Sequence, residues 1–233
     1  MKVGARIDLA LAGALGRLPV PALRRLAKRR AELAYWKDRS RTEGGLQGIH
    51  YERFFTDYFG LTRSDYDAKR VLDIGCGPRG SLEWASNASE RVGLDPLARE
   101  YAKLGGEAHA MNYVAGSAEA IPFADGHFDV IASFNSLDHV DDLERATGEI
   151  ARVAARGALL LLLTDVNHEP TFTEPQSFDW DVLTHFEPDW TVLESRRIAK
   201  TGMGMMEDLD AGVPVAPDHA GAGYLAAMLR RGE

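Results

Sequence analysis

The strongest chemical signal in this chain is a glycine-rich turn that follows an acidic residue. Residues 71–74 are apolar except for Asp73, which predicts a short buried strand. Three glycines come next, at the spacing of a nucleotide-binding turn: Gly75, Gly77 and Gly80. Glycine lets the backbone approach a ligand closely. Because the Asp73 carboxylate would repel a pyrophosphate, the turn favours a ligand with a cationic end, such as an amino-acid ammonium group.

A second acidic residue, Asp95, lies 20 residues after Gly75, at the end of another predicted strand. In nucleotide-binding βαβ units, an acid at this position hydrogen-bonds the ribose hydroxyls. The glycine spacing alone is weak evidence. Together, the two acids predict a nucleoside that carries an amino-acid tail, as S-adenosylmethionine does.

Four segments, taken in chain order, resemble the class I S-adenosylmethionine-dependent methyltransferases, most closely the small-molecule group that includes the quinone-biosynthesis enzymes. The resemblance covers roughly Tyr51–Arg197. It implies an S-adenosylmethionine-dependent methyltransferase that acts on a small molecule or a glycan, with O-methylation expected. The four segments are Asp73–Pro78, Asp95 with Pro96, Gly116–Phe123, and Phe128–His139 with its continuation Glu149–Val153.

The resemblance also implies which residues hold the methionine and ribose parts of the cofactor. The backbone of Gly75, Cys76 and Gly77 would lie along the methionine part. Asp73 would help to hold its amino group, and Asp95 would accept hydrogen bonds from both ribose hydroxyls.

Four further residues are implied around the adenine and the methionine tail. Pro96 would pack on one adenine face, and Ser117 and Ala118 would lie at the adenine edge. Asn135 would pass near the methionine tail. The family often carries Asp where this chain has Ser117, so the neutral hydroxyl would make a weaker contact with the adenine amino group.

Two histidines are candidate general bases, which a hydroxyl acceptor needs. His139 follows the predicted fourth strand and His168 follows the fifth. Each has a structural alternative, because His139 could simply shape the pocket and His168 could be solvated. No two histidines have the spacing of a catalytic metal site, so no metal ligand is assigned. The carboxylate-rich loops could hold Mg²⁺, but nothing in the local sequence demands it.

A cluster of rings and carboxylates follows the fifth strand and would suit a sugar or another polyhydroxy acceptor. The alternative is an ordinary loop with buried rings. The cluster consists of Phe172, Glu174, Phe178, Asp179, Trp180 and Asp181.

Alternating strand and helix patterns predict an α/β fold. We expect a Rossmann-like, doubly wound, mostly parallel sheet with an antiparallel last strand at its edge, as the resemblance implies. Residues 1–50 are expected to form an N-terminal helical appendage or lid, and residues 51–233 the cofactor-binding domain. Strands are predicted near 71–74, 91–95, 112–115, 128–134, 158–164, 191–198 and 224–230, and helices near 81–88, 97–104 and 141–155. A C-terminal helix is the alternative for the last of these strands.

Charge is unevenly distributed along the chain. Residues 1–41 carry 11 Lys and Arg against three Asp and Glu, whereas the whole chain has a net charge of −8. The acidic balance argues against a nucleic-acid partner. Residues 1–38 could pack on the core, form a homodimer contact, or lie on an anionic membrane. No apolar run is long enough to span a bilayer, and the lone cysteine fits a reducing cytoplasm.

Two other functions remain open at this point. A nicotinamide-dependent oxidoreductase could use the same fold, but Asp73 argues against it. A cofactor-binding module without turnover would carry the same glycine turn and the same two acids, and only an activity measurement would separate it from an enzyme.

Overall fold

A computed structural model of the chain describes residues 21–216 and 218–233. The N-terminal 20 residues, which carry part of the predicted appendage, lie outside the described residues. Seven strands form one sheet in the order β3-β2-β1-β4-β5-β7-β6. The strands are β1 Arg70–Ile74, β2 Glu90–Asp95, β3 Asn112–Ala115, β4 Phe128–Phe134, β5 Ala154–Val166, β6 Trp190–Ala199 and β7 Gly223–Arg231.

The predicted Rossmann-like sheet is confirmed, because β1 to β5 are parallel and β7 is antiparallel to β5. One detail of the prediction is wrong. β7 lies between β5 and β6 rather than at the edge, and β6 is the edge strand. The burial of the two strands explains this order. Residues 223–227 of β7 are all buried, whereas β6 exposes residues 191–196, which lie on both of its faces, as an edge strand can.

Five α-helices accompany the sheet in the described part of the chain. They are α1 Pro21–Glu43, α2 Glu52–Phe55, α3 Ala98–Ala102, α4 Leu143–Val153 and α5 Met205–Ala211. The predicted helix over residues 81–88 is wrong, because this segment forms short turns with i→i+3 hydrogen bonds. Its Ser86-Asn87 pair favours such turns, since short polar side chains compete for backbone hydrogen bonds.

The sheet topology brings the candidate cofactor residues to one edge. In a parallel sheet, the loops that follow the strands all leave from the carboxyl edge, where open α/β sheets bind their ligands. β1 and β2 end beside each other at Ile74 and Asp95, and β4 lies on the other side of β1. No helix within the described residues is long and apolar enough to cross a membrane.

Candidate active site

The glycine turn after β1 has a backbone that only glycine fits at Gly75. Its φ angle is +72°, in the left-handed region. A Cβ atom at this position would lie 2.3 Å from the Cβ of Ser136, which belongs to the loop after β4. The Gly75 N–H donates to the carbonyl of Leu94 in β2 over 2.8 Å. The loops after β1 and β4 therefore touch, and the turn is fixed against the neighbouring strand.

Asp73 is buried, with 3% of its surface exposed. The Ser81 hydroxyl donates a hydrogen bond to its Oδ2. Burial raises the pKa of Asp73 to about 7; the bond from Ser81 opposes this shift, and the charge of Asp95 adds to it. A buried carboxylate without a cationic partner is costly to ionise. An ammonium group is the kind of partner that would restore its charge.

Asp95 is also buried, with 7% of its surface exposed. Its two oxygens accept hydrogen bonds from the Leu97 N–H at 2.8 Å and the Gly77 N–H at 3.3 Å. Burial raises the pKa of Asp95 to about 6; the two backbone bonds oppose this, and the charge of Glu32 adds to it. The bonds hold the carboxylate beside the glycine turn, in the position expected of a ribose acceptor.

The raised pKa values predict that cofactor binding releases protons. In the free protein, Asp73 is protonated below pH about 7, and a bound ammonium group would lower its pKa. Affinity for S-adenosylhomocysteine should therefore fall as the pH drops below 7, by up to about tenfold per pH unit. Titration calorimetry at pH 6, in two buffers of different ionisation enthalpy, measures the protons released. Asp73→Asn should remove most of this release, and binding without proton release at pH 6 would contradict the assignment.

Cys76 lies within the glycine turn, and Asn135 directly follows β4. The Cys76 side chain points into the core, because a Cβ on Gly93 would lie 2.6 Å from its sulfur. Its backbone alone is available to a ligand. Asn135 has a φ angle of +49°, and its buried Oδ1 has no hydrogen-bond partner. This unpaired acceptor fits an amino group of the bound cofactor.

The remaining adenine candidates follow β2 and β3. Pro96 is exposed directly after Asp95, where a ring could rest on it. Ser117 is half-buried and Ala118 is buried, and the Ser117 carbonyl accepts a hydrogen bond from the Ala120 N–H over 3.1 Å. All nine predicted cofactor residues thus lie at, or directly after, the carboxyl ends of β1 to β4.

Helix α1 covers the carboxyl edge of the sheet. The sequence predicts a helical appendage or lid over residues 1–50, but not its contacts with this edge. A Cβ on Gly77 would lie 3.1 Å from the Trp36 ring. Glu32 acts electrostatically on Asp95 and contacts His139 with its carboxylate, 3.0 Å from Nδ1. Glu32 is the sole acid between Pro21 and Lys37, in a strongly basic segment. That isolated charge is the sequence signal that could have identified it.

The two candidate bases flank one buried acid, Asp138. Its Oδ1 lies 4.0 Å from His139 Nε2, and its Oδ2 lies 3.9 Å from His168 Nε2. Burial lowers the pKa of His139, but the hydrogen bond and charge of Glu32, with the charge of Asp138, outweigh it and raise this pKa overall. Burial is also the main reason that the pKa of Asp138 is raised. The structure therefore brings both predicted histidines to one cluster.

The predicted sugar-binding rings are not available to a ligand. Phe178 and Trp180 are buried in the core, and the Trp180 N–H donates to the carbonyl of His219. Phe172 packs against Ala27 and Ala31 of α1. The alternative prediction, a loop with buried rings, describes this segment.

Comparison with known families agrees with the geometry. Residues 72–162, from β1 into β5, match the family described as "Methyltransferase domain". The rice (Oryza sativa subsp. japonica) protein named "Probable tocopherol O-methyltransferase, chloroplastic" is 31% identical over 137 residues, which cover 52% of this chain and 38% of that protein. An ajmaline N-methyltransferase from Rauvolfia serpentina is 28% identical over 109 residues, covering 43% and 38% of the two chains. The chain thus spans about two fifths of the length of these curated relatives.

Solved structures share the fold. An S-adenosylmethionine-dependent methyltransferase from Mesorhizobium loti superposes with a TM-score of 0.54 at 14% identity, covering 71% of this chain and 92% of that one. The fold is Rossmann-like, and two buried acids at the ends of β1 and β2 have the chemistry that an adenosyl amino acid needs. Residues 72–162 are thus similar to methyltransferase domains, and the fold is shared with a solved S-adenosylmethionine-dependent methyltransferase.

Proposed function

We propose that this protein transfers a methyl group from S-adenosylmethionine to an oxygen atom of a small molecule. The observation that carries the proposal is the pair of buried acids at the ends of adjacent strands. Asp73 can hold the amino end of the cofactor, and Asp95 can hold its ribose. When bound, the sulfonium group supplies a methyl group that is already activated, so the protein needs mainly to align an acceptor and to exclude water.

The carboxyl edge of the sheet and helix α1 have different proposed roles in cofactor binding. The glycine turn and Asp73 would orient the methionine part, with the unpaired Asn135 Oδ1 as a further acceptor. Trp36 would exclude water from the turn that it covers. We propose that residues 1–50 form a lid on a cofactor-binding domain of residues 51–233, and the contacts of α1 with this edge support that division.

Oxygen is the proposed acceptor atom because the site offers several proton acceptors. Relatives carry names for both O- and N-methyltransferases, so similarity alone does not choose between these atoms. A neutral hydroxyl must lose a proton during transfer. His139 and His168, on either side of Asp138, are the groups that we propose for this step. A small hydroxylated molecule is favoured over a glycan, since Phe178 and Trp180 are buried and cannot stack on a sugar.

The basic residues of α1 indicate which surface this helix packs against. Arg29 pairs with Glu100 at 2.9 Å, Arg25 lies 3.6 Å from Asp141, and the Lys28 ammonium group donates to the carbonyl of His139. These contacts support packing of α1 on its own domain over contact with an anionic membrane or a second subunit.

Thermal unfolding of the full chain tests the choice of cofactor. A ligand present at 100 times its Kd stabilises the native state by about 2.7 kcal/mol. For a chain of this length, S-adenosylhomocysteine should therefore raise Tm by roughly 5–10 °C. NADH should leave Tm unchanged. A rise with NADH and none with S-adenosylhomocysteine would support a nicotinamide-dependent oxidoreductase and contradict the proposal.

A further inference from the structure

We propose that Asp138, His139, Glu174 and His168 bind a divalent transition-metal ion beside the cofactor crevice. The sequence spacing predicts no such site, because the four residues come from two separate loops. The first two residues follow β4, and the others follow β5. Metal binding goes beyond the proposed function, since it can be measured without any methyl transfer.

The geometry of three side chains suits a metal ion. His139 Nε2 lies 4.0 Å from Asp138 Oδ1 and 3.9 Å from Glu174 Oε1, and all three ligand atoms are within 4.8 Å of one another. Atoms about 4 Å apart surround a point about 2.3 Å from each, and metal–ligand bonds of about 2.0–2.2 Å need only a small inward movement.

Two unpaired buried atoms are a second observation that supports a cation site. Asp138 is 1% exposed, and its Oδ1 has no hydrogen-bond partner although it faces this cluster. His168 Nε2, 3.9 Å from the other oxygen of Asp138, is also buried without a partner. Leaving such groups unpaired is costly. An ion bound by Asp138 Oδ1 would satisfy that oxygen, and His168, which faces the other oxygen of the same carboxylate, would be a fourth ligand beside the three-residue group.

The orientation of His139 is the one that a metal ligand requires. Its Nδ1 lies 3.0 Å from the Glu32 carboxylate, which can accept the Nδ1–H bond. The Nε2 lone pair would then face Asp138 and Glu174. Histidines that bind metals usually donate their second N–H group to a carboxylate in this way. Lys28, in α1, also donates a hydrogen bond to the His139 carbonyl and so helps to fix the position of His139.

The donor set indicates the class of metal. Two imidazoles and two carboxylates suit Zn²⁺ and neighbouring first-row ions, whereas Mg²⁺ prefers an all-oxygen shell. A bound ion would occupy the histidine nitrogens proposed above as bases, so in the metal-bound protein the ion itself would coordinate the acceptor hydroxyl and lower its pKa. This last role rests on the proposed function, but the binding itself does not.

Titration calorimetry of the untagged, chelator-treated full chain with ZnCl₂ tests the proposal. We expect one equivalent of Zn²⁺ to bind, and much weaker binding of MgCl₂. Glu174→Gln should lower the Zn²⁺ affinity at least tenfold. So should Glu32→Gln, because losing the carboxylate partner of a metal-binding histidine has an effect of about 10- to 100-fold. Glu169→Gln removes a carboxylate from the same loop and should leave the affinity unchanged.

Two outcomes would overturn the metal site. One is no stoichiometric Zn²⁺ binding by a folded chain. The other is equal binding by the Glu174→Gln, His168→Ala and Glu169→Gln variants, which would place the ion elsewhere. In either case, histidine–carboxylate pairs alone would account for the cluster. S-adenosylhomocysteine binding, titrated on the same samples, separates the two proposals, since its loss with intact Zn²⁺ binding would contradict only the proposed function.

Discussion

Asp95→Asn should weaken S-adenosylhomocysteine binding about 100-fold, because hydrogen bonds to a charged acceptor contribute about 1.5–3 kcal/mol each. The substitution keeps the size of the side chain and removes its charge. One oxygen remains to accept from Leu97 or Gly77, whose N–H groups both bond Asp95 in the free protein. Losing the other bond should lower the free energy of unfolding by only about 1 kcal/mol. Titration calorimetry and denaturant unfolding measure the two effects separately.

Asp67→Asn is the matched control for the loss of one negative charge. Asp67 is exposed and precedes β1, at the opposite end of that strand from the glycine turn. Its variant should bind S-adenosylhomocysteine as the parent chain does. Unchanged affinity in Asp95→Asn would remove this residue from the ribose site.

Gly75→Ala should destabilise the fold by about 3 kcal/mol or more. A left-handed backbone with a Cβ atom costs about 1–2 kcal/mol, and overpacking adds about 1–3 kcal/mol. The overpacking arises because the added Cβ would lie 2.3 Å from the Cβ of Ser136. Movement of either loop to relieve the clash should also weaken cofactor binding. Denaturant unfolding and calorimetry measure the two changes.

Substitutions at two other glycines separate the backbone strain from the clash with Ser136. Gly60 has a φ angle of +61° with no atom within 4 Å of its added Cβ, so Gly60→Ala should show only the backbone strain. Gly148 lies within α4, where its added Cβ also meets nothing. Gly148→Ala should stabilise the chain by about 0.5–1 kcal/mol, since alanine favours the helix. Equal destabilisation by Gly75→Ala and Gly60→Ala would show that the contact with Ser136 does not constrain the turn.

The sequence predicts those features of the molecule that local patterns determine. Apolar runs identified the seven strands, and the spacing of Asp73, Gly75 and Asp95 identified the cofactor class. These features depend on residues that are close in the chain and on a turn chemistry that few residue types satisfy. The resemblance then supplied the expected topology, which the structure confirms apart from the position of β7, and the class of enzyme, to whose domain family residues 72–162 are similar.

The sequence could not predict features that arise from contacts between distant segments. The place of β7 inside the sheet depends on burial of both its faces between β5 and β6. The contact between Glu32 and His139 joins residues more than 100 positions apart. Asp138 and Glu174 meet because the loops after β4 and β5 leave the same edge of the sheet. Their spacing in the chain gives no sign of this, so a metal site was not predicted.

We propose that Asp73 and Asp95 hold opposite ends of one adenosyl amino acid. A crystal structure of the full chain with S-adenosylhomocysteine tests it most directly. We expect the ribose hydroxyls to lie within about 3 Å of the Asp95 carboxylate, and the amino group to be bound near Asp73 and Asn135, at hydrogen-bond distances. A ligand bound away from the glycine turn, or an empty crevice at saturating ligand, would contradict the account.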